Sequence, residues 1–284
     1  MKKTIRVVQM IDSYGSAASF IEQSTSFHSA GLDAYGKRYK QFSNAALTTI
    51  FERLADSLDI TTAIEVGAFQ ADFSRRFLER KSGRTALAVE ANPYNYHAFR
   101  DRVTGAGIIY HHAAVQDLVG TRTLQLMVTD IDVKNGYIRG NNSILTSQQR
   151  PETQPLKVPA TTLDTLVEEY VKSEQLPPLS DSPPVLWIDV EGALDLVIAG
   201  GEQTISESLA IFAEVESTAL WDRQAVFSDI CKQLQALEFR PFLRDCEYEP
   251  EQFNVVFINQ KLDGNSLLLE LEQQYSDILT NFTG

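Results

Sequence analysis

The chain has 284 residues, of which 43% are hydrophobic and 22% are charged, a composition that suits one large α/β domain with additions or, at most, two domains. Asp and Glu outnumber Lys and Arg by 38 to 25, which gives a formal net charge of −13. Because an acidic chain repels phosphate groups and no basic stripe is present, we expect neither nucleic acid nor an anionic membrane as a partner.

The sequence predicts a cytoplasmic protein. Its two cysteines are too few for a disulfide framework and fit a reducing compartment. Residues 1–3 begin like a signal peptide, but Arg6, Gln9 and Asp12 interrupt the apolar run that should follow. No segment approaches the roughly 20 apolar residues that a membrane span requires.

Residues 1–58 are expected to form a helical extension or lid. They begin with a strand-prone segment at residues 5–10, followed by a mixed stretch that could be helical. The aromatic and basic cluster at residues 35–40 could be a lid over an active site or a solvated surface loop. Apolar residues at helical spacing then predict an amphipathic helix over residues 45–58.

Residues 59–284 are expected to form one α/β domain in which short apolar strands alternate with helices. Continuous apolar runs of this kind are typical of parallel strands that helices cover on both faces. The predicted parallel strands are residues 63–66, 86–90, 107–111, 185–190 and 210–215. The predicted helices are Asp72–Arg80 and residues 163–171, 222–237 and 266–282.

An insertion at about residues 120–160 interrupts this alternation. Residues 123–128 and 156–159 are strand candidates, which could extend the sheet or form a small ribbon. Residues 130–154 are polar and rich in turn residues. Long loops at the mouth of an α/β sheet often shape substrate pockets, so we expect the insertion to shape an acceptor pocket.

The C-terminal part predicts an antiparallel hairpin. Strand candidates at residues 240–243 and 254–259 are joined by a short acidic turn, and a connection this short requires antiparallel pairing. The acidic helix at residues 266–282 would pack on the sheet or make a subunit contact, which leaves a homodimer open.

Two strand ends predict a nucleotide-like cofactor. Glu65 and Gly67 end the first strand and open a turn, and Glu90 ends the second strand 25 residues after Glu65. In α/β sheets, a carboxylate at the second strand end binds ribose hydroxyls beside such a turn. The alternative is that Glu65 caps the following helix and Glu90 is a surface carboxylate.

The turn between these strands favours a sulfonium cofactor over a dinucleotide. A dinucleotide needs a glycine-rich turn so that backbone N–H groups can approach its pyrophosphate. Here the turn has one glycine, Gly67, and Asp72 stands near the helix start, where its charge would repel a pyrophosphate. S-Adenosylmethionine has no phosphate and carries a sulfonium and an ammonium group, which acidic side chains would attract.

The second half of the chain carries a pattern that recurs in one enzyme family. A Leu163-Asp164 pair is followed by a strand that ends in Asp189-Val190-Glu191-Gly192, a helix that reaches Gly200, and a strand that ends in Glu214-Val215-Glu216. In these segments, and in residues 113–117 and 142–145, the chain resembles the FkbM family of S-adenosylmethionine-dependent methyltransferases. The resemblance covers about residues 60–260.

The chain departs from the family pattern at three positions. Phe69 stands where the family often has Asn, and Ala71 stands where it often has Gly. Leu194 replaces an acidic residue that often follows the Glu-Gly-x segment. The first two departures concern the cofactor turn, and the third concerns a polar network near the acceptor.

The resemblance implies a class I methyltransferase fold. This is a Rossmann-like, mostly parallel seven-stranded sheet with a C-terminal antiparallel hairpin and helices on both faces. It also implies methyl transfer to a hydroxyl of a small-molecule acceptor, such as a sugar or a natural product. On this basis we expect the cofactor to contact Glu65, Gly67, Ala68, Phe69, Glu90, Ala91, Asn92, Ala114 and Asp189.

Acid–base chemistry is expected where the fourth and fifth strands end. Asp189 and Glu191 alternate along what would be an extended chain, so both could point into the crevice, and Glu191 could bind or deprotonate the acceptor. His112 is a second candidate base. The acceptor is expected to contact Asn142, Ser143, Glu214 and Glu216. A cluster of Asp189, Glu191, Glu214 and a histidine could also hold Mg²⁺, although nothing in the spacing demands a metal.

Three other functions remain open on the sequence alone. One is an N-methyltransferase, which would need a neutral amine acceptor. Another is a nicotinamide-dependent oxidoreductase, against which the single-glycine turn and the terminal hairpin argue. The last is a catalytically silent adenosine-binding or scaffolding subunit.

Overall fold

The structure is a computed structural model that describes residues 16–127, 131–132, 137–138, 142–147, 153–248 and 250–283. The strand predicted at residues 5–10 lies outside these residues, as does most of the polar loop predicted at residues 130–154.

The described chain alternates strands and helices as predicted. The strands are β1 (Thr62–Val66), β2 (Thr85–Glu90), β3 (Ile109–His112), β4 (Ala114–Val115), β5 (Gly120–Met127), β6 (Ile131–Asp132), β7 (Tyr137–Ile138), β8 (Thr153–Thr161), β9 (Val185–Ile188), β10 (Ala210–Glu216), β11 (Phe239–Arg244) and β12 (Gln252–Asn259). The helices are α1 (Ala17–Tyr35), α2 (Lys37–Ser57), α3 (Asp72–Arg80), α4 (Pro93–Gly105), α5 (Leu163–Lys172), α6 (Leu194–Ala199), α7 (Glu202–Glu207), α8 (Phe227–Ala236) and α9 (Ser266–Thr280).

Seven strands form the central sheet in the order β3-β2-β1-β9-β10-β12-β11. The strands from β3 to β10 pair in parallel, and β12 runs antiparallel to both β10 and β11. This confirms the predicted mostly parallel sheet with a C-terminal antiparallel hairpin.

Apolar side chains cover both faces of the sheet, as the continuous apolar strands predicted. Helices α2, α3, α4 and α9 bury one face against alternate strand residues, among them Ala63, Ala88 and Phe212. The other face carries the intervening strand residues and packs against α5, α6, α7 and α8. Since the inner strands β1, β2, β9, β10 and β12 are almost fully buried, strand ends are the places where polar side chains can reach a ligand.

The insertion forms a separate sheet rather than extending the main one. Strand β8 lies between β4 and β5, and β5 and β8 pair antiparallel over eight residue pairs. A small core of Leu124, Leu126, Ile144 and Val158 packs this sheet against Ala193, at the start of α6.

Residues 35–40 form the corner between α1 and α2, not a loop. Tyr39 is buried, and the hydroxyl group of Tyr39 lies 3.2 Å from Nδ1 of His28 on α1. Helix α2 begins at Lys37, eight residues before its predicted start, and packs against the sheet and α9. The described part of the predicted extension is therefore integrated with the core.

Helix α8 begins later than the sequence predicted. Residues 222–226 precede it in a turn, because the side-chain oxygen of Gln224 accepts hydrogen bonds from the backbone N–H groups of Leu220 and Trp221. Among the helices that the structure describes, none is long and apolar enough to cross a membrane.

Glu65 ties β1 to α3. Its buried carboxylate accepts hydrogen bonds from the backbone N–H groups of Ser74 (2.8 Å) and Phe73 (3.4 Å), in the first turn of α3. This satisfies two of the N–H groups that a helix start leaves open. Burial raises the pKa of Glu65 to about 7, against the opposing effect of these hydrogen bonds.

The raised pKa of Glu65 predicts a pH-dependent stability. The pKa of Glu65 in the folded state lies above the unfolded value of 4.5, so the folded state binds the proton of Glu65 more tightly than the unfolded state does. This proton binding stabilises the fold fully below pH 4.5, and the contribution is lost as the pH rises through 7. We expect the free energy of unfolding to fall by on the order of 3 kcal/mol over this range, relative to Glu65→Gln. Urea unfolding at several pH values measures this difference. Glu79→Gln, which removes an exposed carboxylate from the same helix, is the control, and parallel pH profiles for wild type and Glu65→Gln would contradict the prediction.

Candidate functional site

The register of the parallel strands brings four predicted site residues into one row. Val66 pairs with Val89 on one side and with Ile188 on the other, and Ile188 pairs with Ala213. The next residue on each strand therefore forms a row along the carboxyl edge of the sheet: Glu90, Gly67, Asp189 and Glu214.

The side chains of this row share one face of the sheet. Side chains alternate between faces along a strand. Ala88, Trp187 and Phe212, each two residues before a carboxylate of the row, all pack on the face that α2 and α3 cover. Glu90, Asp189 and Glu214 consequently emerge at the same side of the carboxyl edge.

Gly67 allows β1 and β9 to approach closely at this edge. Its N–H donates to the carbonyl oxygen of Val89 at 3.0 Å, and the N–H of Asp189 donates to the carbonyl oxygen of Val66 at 2.9 Å. Gly67 has a φ of +79°, and a Cβ atom at this position would lie 1.7 Å from the carbonyl oxygen of Asp189. Both the backbone angle and the contact require glycine.

The turn after Gly67 holds two non-glycine residues in the left-handed region. Phe69 has a φ of 46° and Ala71 a φ of 54°. These are the positions where the family often has Asn and Gly, residue types that tolerate this conformation. The ring of Phe69 packs edge-on against Phe99 at 5.0 Å, so apolar contact offsets part of the strain.

A cleft opens beside the row, with about 860 Å³ of empty volume including its mouth. Among the described residues that line the cleft, none is basic and three are carboxylates. The lining consists of Val66, Gly67, Phe69, Glu90, Ala91, Asn92, Asn95, Ala113, Ala114, Val115, Leu124, Asn142, Ile144, Asp189, Val190, Glu191 and Ala193.

Glu90 is held rigidly at the cleft wall. Its two carboxylate oxygens accept hydrogen bonds from the backbone N–H groups of Phe69 and Asn92, each at 2.7 Å, and the Asn95 side chain donates a third. Burial, with the nearby Asp189 charge, raises the pKa of Glu90 to about 7, against these hydrogen bonds. A carboxylate offers about four acceptor positions, so one remains for a ligand hydroxyl.

Asn92 presents a free donor to the same cleft. Its side-chain oxygen caps α4 by accepting from the N–H of Tyr94 at 3.0 Å. Its Nδ2 is buried and has no hydrogen-bond partner among the described residues. A buried donor of this kind is satisfied when a ligand supplies an acceptor.

The structure corrects two predicted cofactor contacts. Glu65 lies two residues below the row, aligned with Ala88 and Trp187, and its carboxylate caps α3 instead of lining the cleft. Ala68 is buried, and its N–H donates to the carbonyl oxygen of Val89, so it supports the turn from behind.

Three carboxylates converge at the far end of the row. Asp189, Glu191 and Glu214 can each present an oxygen within 4.8 Å of the others. The side chain of Asp189 is exposed at the surface of the cleft. The protein that surrounds it still removes part of its hydration, which raises the pKa of Asp189 to about 6. Burial, then the charges of Asp189 and Glu191, raise the pKa of Glu214 well above its usual range.

Glu191 reaches this group by a route that the sequence did not predict. Strand β9 ends at Ile188, and Glu191 has a φ of 49°, so the chain from Asp189 to Glu191 is a turn, not an extended segment.

Ser143 holds this turn and does not line the cleft. Its hydroxyl donates to the carbonyl oxygen of Glu191 at 2.7 Å and accepts from the N–H of Leu145. The predicted acceptor contact of Ser143 is therefore corrected to a positioning role, whereas its neighbour Asn142 lines the cleft.

His112 lies away from the carboxylates. It ends β3, and three strand spacings of about 4.8 Å place it roughly 14 Å from Asp189. Its ring stacks on Tyr96, and its Nε2 lies 3.2 Å from the carbonyl oxygen of Ala91. This separation is too large for His112 to take a proton from an acceptor held by Asp189 and Glu191. The cluster of carboxylates predicted to bind a metal together with a histidine contains no histidine among the described residues.

Further acidic residues lie near this end of the site. Glu216 is buried two residues beyond Glu214, outside the group of three. Asp245 and Glu247, which precede β12, lie close enough that the Asp245 and Asp189 charges, after burial, raise the pKa of Glu247 to about 7. The acidic turn between β11 and β12 was the sequence signal for these two residues, but only the fold shows that they approach the row.

The sequence of residues 65–250 matches the methyltransferase FkbM domain, which covers the row, the cleft and the acidic group. A comparison with curated protein sequences found no match.

Several solved structures resemble the chain at low identity. An uncharacterized protein from Listeria monocytogenes serotype 4b is 8% identical with a TM-score of 0.34, and the alignment covers 70% of this chain and 61% of that one. Precorrin-6y C5,15-methyltransferase from Geobacter metallireducens is 12% identical with a TM-score of 0.38, covering 70% and 79%. The 1,6-didemethyltoxoflavin-N1-methyltransferase from Burkholderia thailandensis is 12% identical with a TM-score of 0.37, covering 86% and 88%.

Gly67→Ala tests the close approach at the carboxyl edge. Gly83 also has a φ of +79° but has no atom within 4 Å of an added Cβ, so Gly83→Ala measures the backbone strain alone. We expect Gly83→Ala to cost about 1–2 kcal/mol of stability. Gly67→Ala should cost at least about 2 kcal/mol more, because Asp189 and the strand that carries it must shift. Thermal or urea unfolding of both variants measures the difference, and equal costs would show that the approach is not a constraint.

Proposed function

We propose that this chain, which belongs to the family of methyltransferase FkbM domains and has the class I methyltransferase fold, transfers a methyl group from S-adenosylmethionine to a hydroxyl group of a small-molecule acceptor. The observation that carries the proposal is the composition of the cleft. Its described lining holds three carboxylates and no basic side chain, beside the glycine turn of β1. Such a cleft suits a nucleoside with cationic groups.

The contacts along the cleft support separate binding positions for three parts of the cofactor. Glu90 keeps one acceptor position for a ribose hydroxyl, and Asn92 offers a donor for a ring nitrogen of adenine. Asp189 lies beyond Gly67, where its charge would attract the sulfonium and ammonium groups. This order follows the row from β2 to β9.

The start of α3 argues against a dinucleotide cofactor. In dinucleotide sites the free N–H groups at a helix N-terminus bind the pyrophosphate. Here the carboxylate of Glu65 already accepts from two of these N–H groups and brings a negative charge to the same place. A nicotinamide-dependent oxidoreductase is therefore the weaker alternative.

Methyl transfer needs alignment and a proton acceptor. The acceptor oxygen attacks the methyl carbon in line with the carbon–sulfur bond, so the C–O bond forms as the C–S bond breaks and S-adenosylhomocysteine leaves. The hydroxyl proton must pass to a base. We assign acceptor binding or proton removal to Glu191, with Asp189 and Glu214 beside it, and substrate contact to Asn142.

The first test is a calorimetric titration with S-adenosylhomocysteine and, separately, with NADH. We expect micromolar binding of the former and none of the latter. Glu90→Gln should weaken S-adenosylhomocysteine binding by about 10–100-fold, the value of a charged hydrogen bond. Glu65→Gln is the matched control, since Glu65 is also a buried carboxylate with two backbone donors and a pKa near 7, but lies outside the cleft. NADH binding, or equal losses in the two variants, would contradict the proposed cofactor site.

Glu191→Gln tests the proposed chemistry. A screen of sugars and hydroxylated natural products, with S-adenosylmethionine labelled in its methyl group, would first identify an acceptor. With that acceptor, Glu191→Gln should lower kcat by about 10²–10⁴-fold, the usual value of general acid–base catalysis. Its affinity for S-adenosylhomocysteine should change less than about threefold, because the cofactor contacts lie nearer Glu90 and Gly67. Unchanged turnover would remove Glu191 from the mechanism.

A further inference from the structure

The carboxylates of Asp189, Glu191 and Glu214 have the spacing of a cation site. Their nearest oxygens lie within 4.8 Å of one another. Two oxygens on opposite sides of one ion are about 4.2 Å apart for Mg²⁺ and about 4.8 Å apart for Ca²⁺, given their usual ligand distances. One ion could therefore contact all three side chains without moving the strands that carry them.

Glu214 provides an observation independent of this spacing. Its Oε1 is shielded from solvent and has no hydrogen-bond partner in the part of the chain that the structure describes. Its position on β10, alongside Asp189 and paired with Asn254 of β12, fixes it at the end of the row. A buried carboxylate oxygen without a donor is costly, and a bound cation would remove that cost.

The surrounding charges also favour a cation. After burial, the charges that raise the pKa of Glu214 belong to other acids: Asp189, Glu191, Glu216 and Asp245. Oxygen-only donor sets, without His or Cys, are typical of Mg²⁺, Mn²⁺ and Ca²⁺ sites.

We propose that Asp189, Glu191 and Glu214 bind one divalent cation beside the methyl-transfer position. The location rests on the proposed function, in which Asp189 faces the sulfonium. A divalent cation together with the sulfonium would neutralise the three carboxylates. The acceptor hydroxyl would bind to the open side of the cation, which would orient its oxygen and make its proton easier to remove.

Manganese binding provides a test that does not require a known acceptor. Free Mn²⁺ gives an electron paramagnetic resonance signal that decreases when the ion binds. The wild-type chain, titrated with Mn²⁺ in the presence and absence of S-adenosylhomocysteine, should bind one ion per chain, and Mg²⁺ or Ca²⁺ should displace it. Glu214→Gln should weaken Mn²⁺ binding by about tenfold or more, since loss of a group that only supports a ligand already costs about that much.

Glu251→Gln is the matched control. It removes the same charge from an exposed side chain just before β12 and should bind Mn²⁺ as the wild type does. A thermal scan checks folding, and we expect Glu214→Gln to melt no lower than the wild type without metal, because the amide relieves repulsion among the acids. Added Mn²⁺ should then raise the melting temperature of the wild type more than that of Glu214→Gln.

The outcomes separate this inference from the proposed function. Binding of S-adenosylhomocysteine with no Mn²⁺ site would overturn the cation site and leave the cofactor site intact. Equal Mn²⁺ affinity in wild type and Glu214→Gln would also overturn it. A Mn²⁺ site without S-adenosylhomocysteine binding would support the cation site and contradict the proposed cofactor. If Mn²⁺ does not bind but an ammonium-bearing acceptor does, the carboxylates serve the acceptor and the cation site is wrong.

Discussion

The close approach of Gly67 to the carbonyl group of Asp189 sets the geometry on which the site depends. Strand β1 lies between β2 and β9, and its pairing with both places the end of each strand at the same level. A side chain at position 67 would push β9 away, because its Cβ would lie 1.7 Å from the Asp189 oxygen. That displacement would separate Glu90 from Asp189 and carry Glu214 with β9, since β10 pairs with β9. The ligand-facing row is therefore a consequence of backbone contact at one glycine.

Buried carboxylates have different means of stabilisation along this edge. Glu65 and Glu90 each accept two backbone N–H groups, which is the ordinary way to keep a buried acid satisfied. Glu214 has a buried oxygen with no such donor among the described residues, and an unsatisfied buried group of this kind costs about 1–3 kcal/mol or more when charged. Glu65 thus serves the fold. In the proposed function Glu90 also binds the cofactor, and in the proposed cation site a cation would complete the surroundings of Glu214.

The sequence predicts the strands and helices of this fold well, but it does not predict how neighbouring strands align. Apolar runs predicted the strands of the central sheet and the hairpin, because burial on both faces is a local property of each strand. The roles of Glu65 and Glu90 could not be separated in this way. They differ because Glu65 aligns with Ala88, two residues before Glu90, and that alignment depends on pairing between segments distant in sequence. Strand order is equally non-local, which is why His112, a plausible base at a strand end, lies at the outer strand β3. An extended chain would direct Glu191 to the same side as Asp189, but in the structure a turn with positive φ brings it to the other carboxylates.

The insertion positions the chemistry as well as bounding the pocket. Ala193, which follows the Glu191 turn, packs in the small core with Leu124, Ile144 and Val158. The hydroxyl of Ser143 holds the carbonyl group of Glu191, and the backbone of Ser143 is paired with that of Gln125 on β5. A change in the β5–β8 sheet would therefore reach Glu191 through two short contacts, without touching the cofactor row at Gly67 and Glu90. In the proposed function, this separation would allow the acceptor side of the cleft to vary while the cofactor side stays fixed, as expected when one fold serves different acceptors.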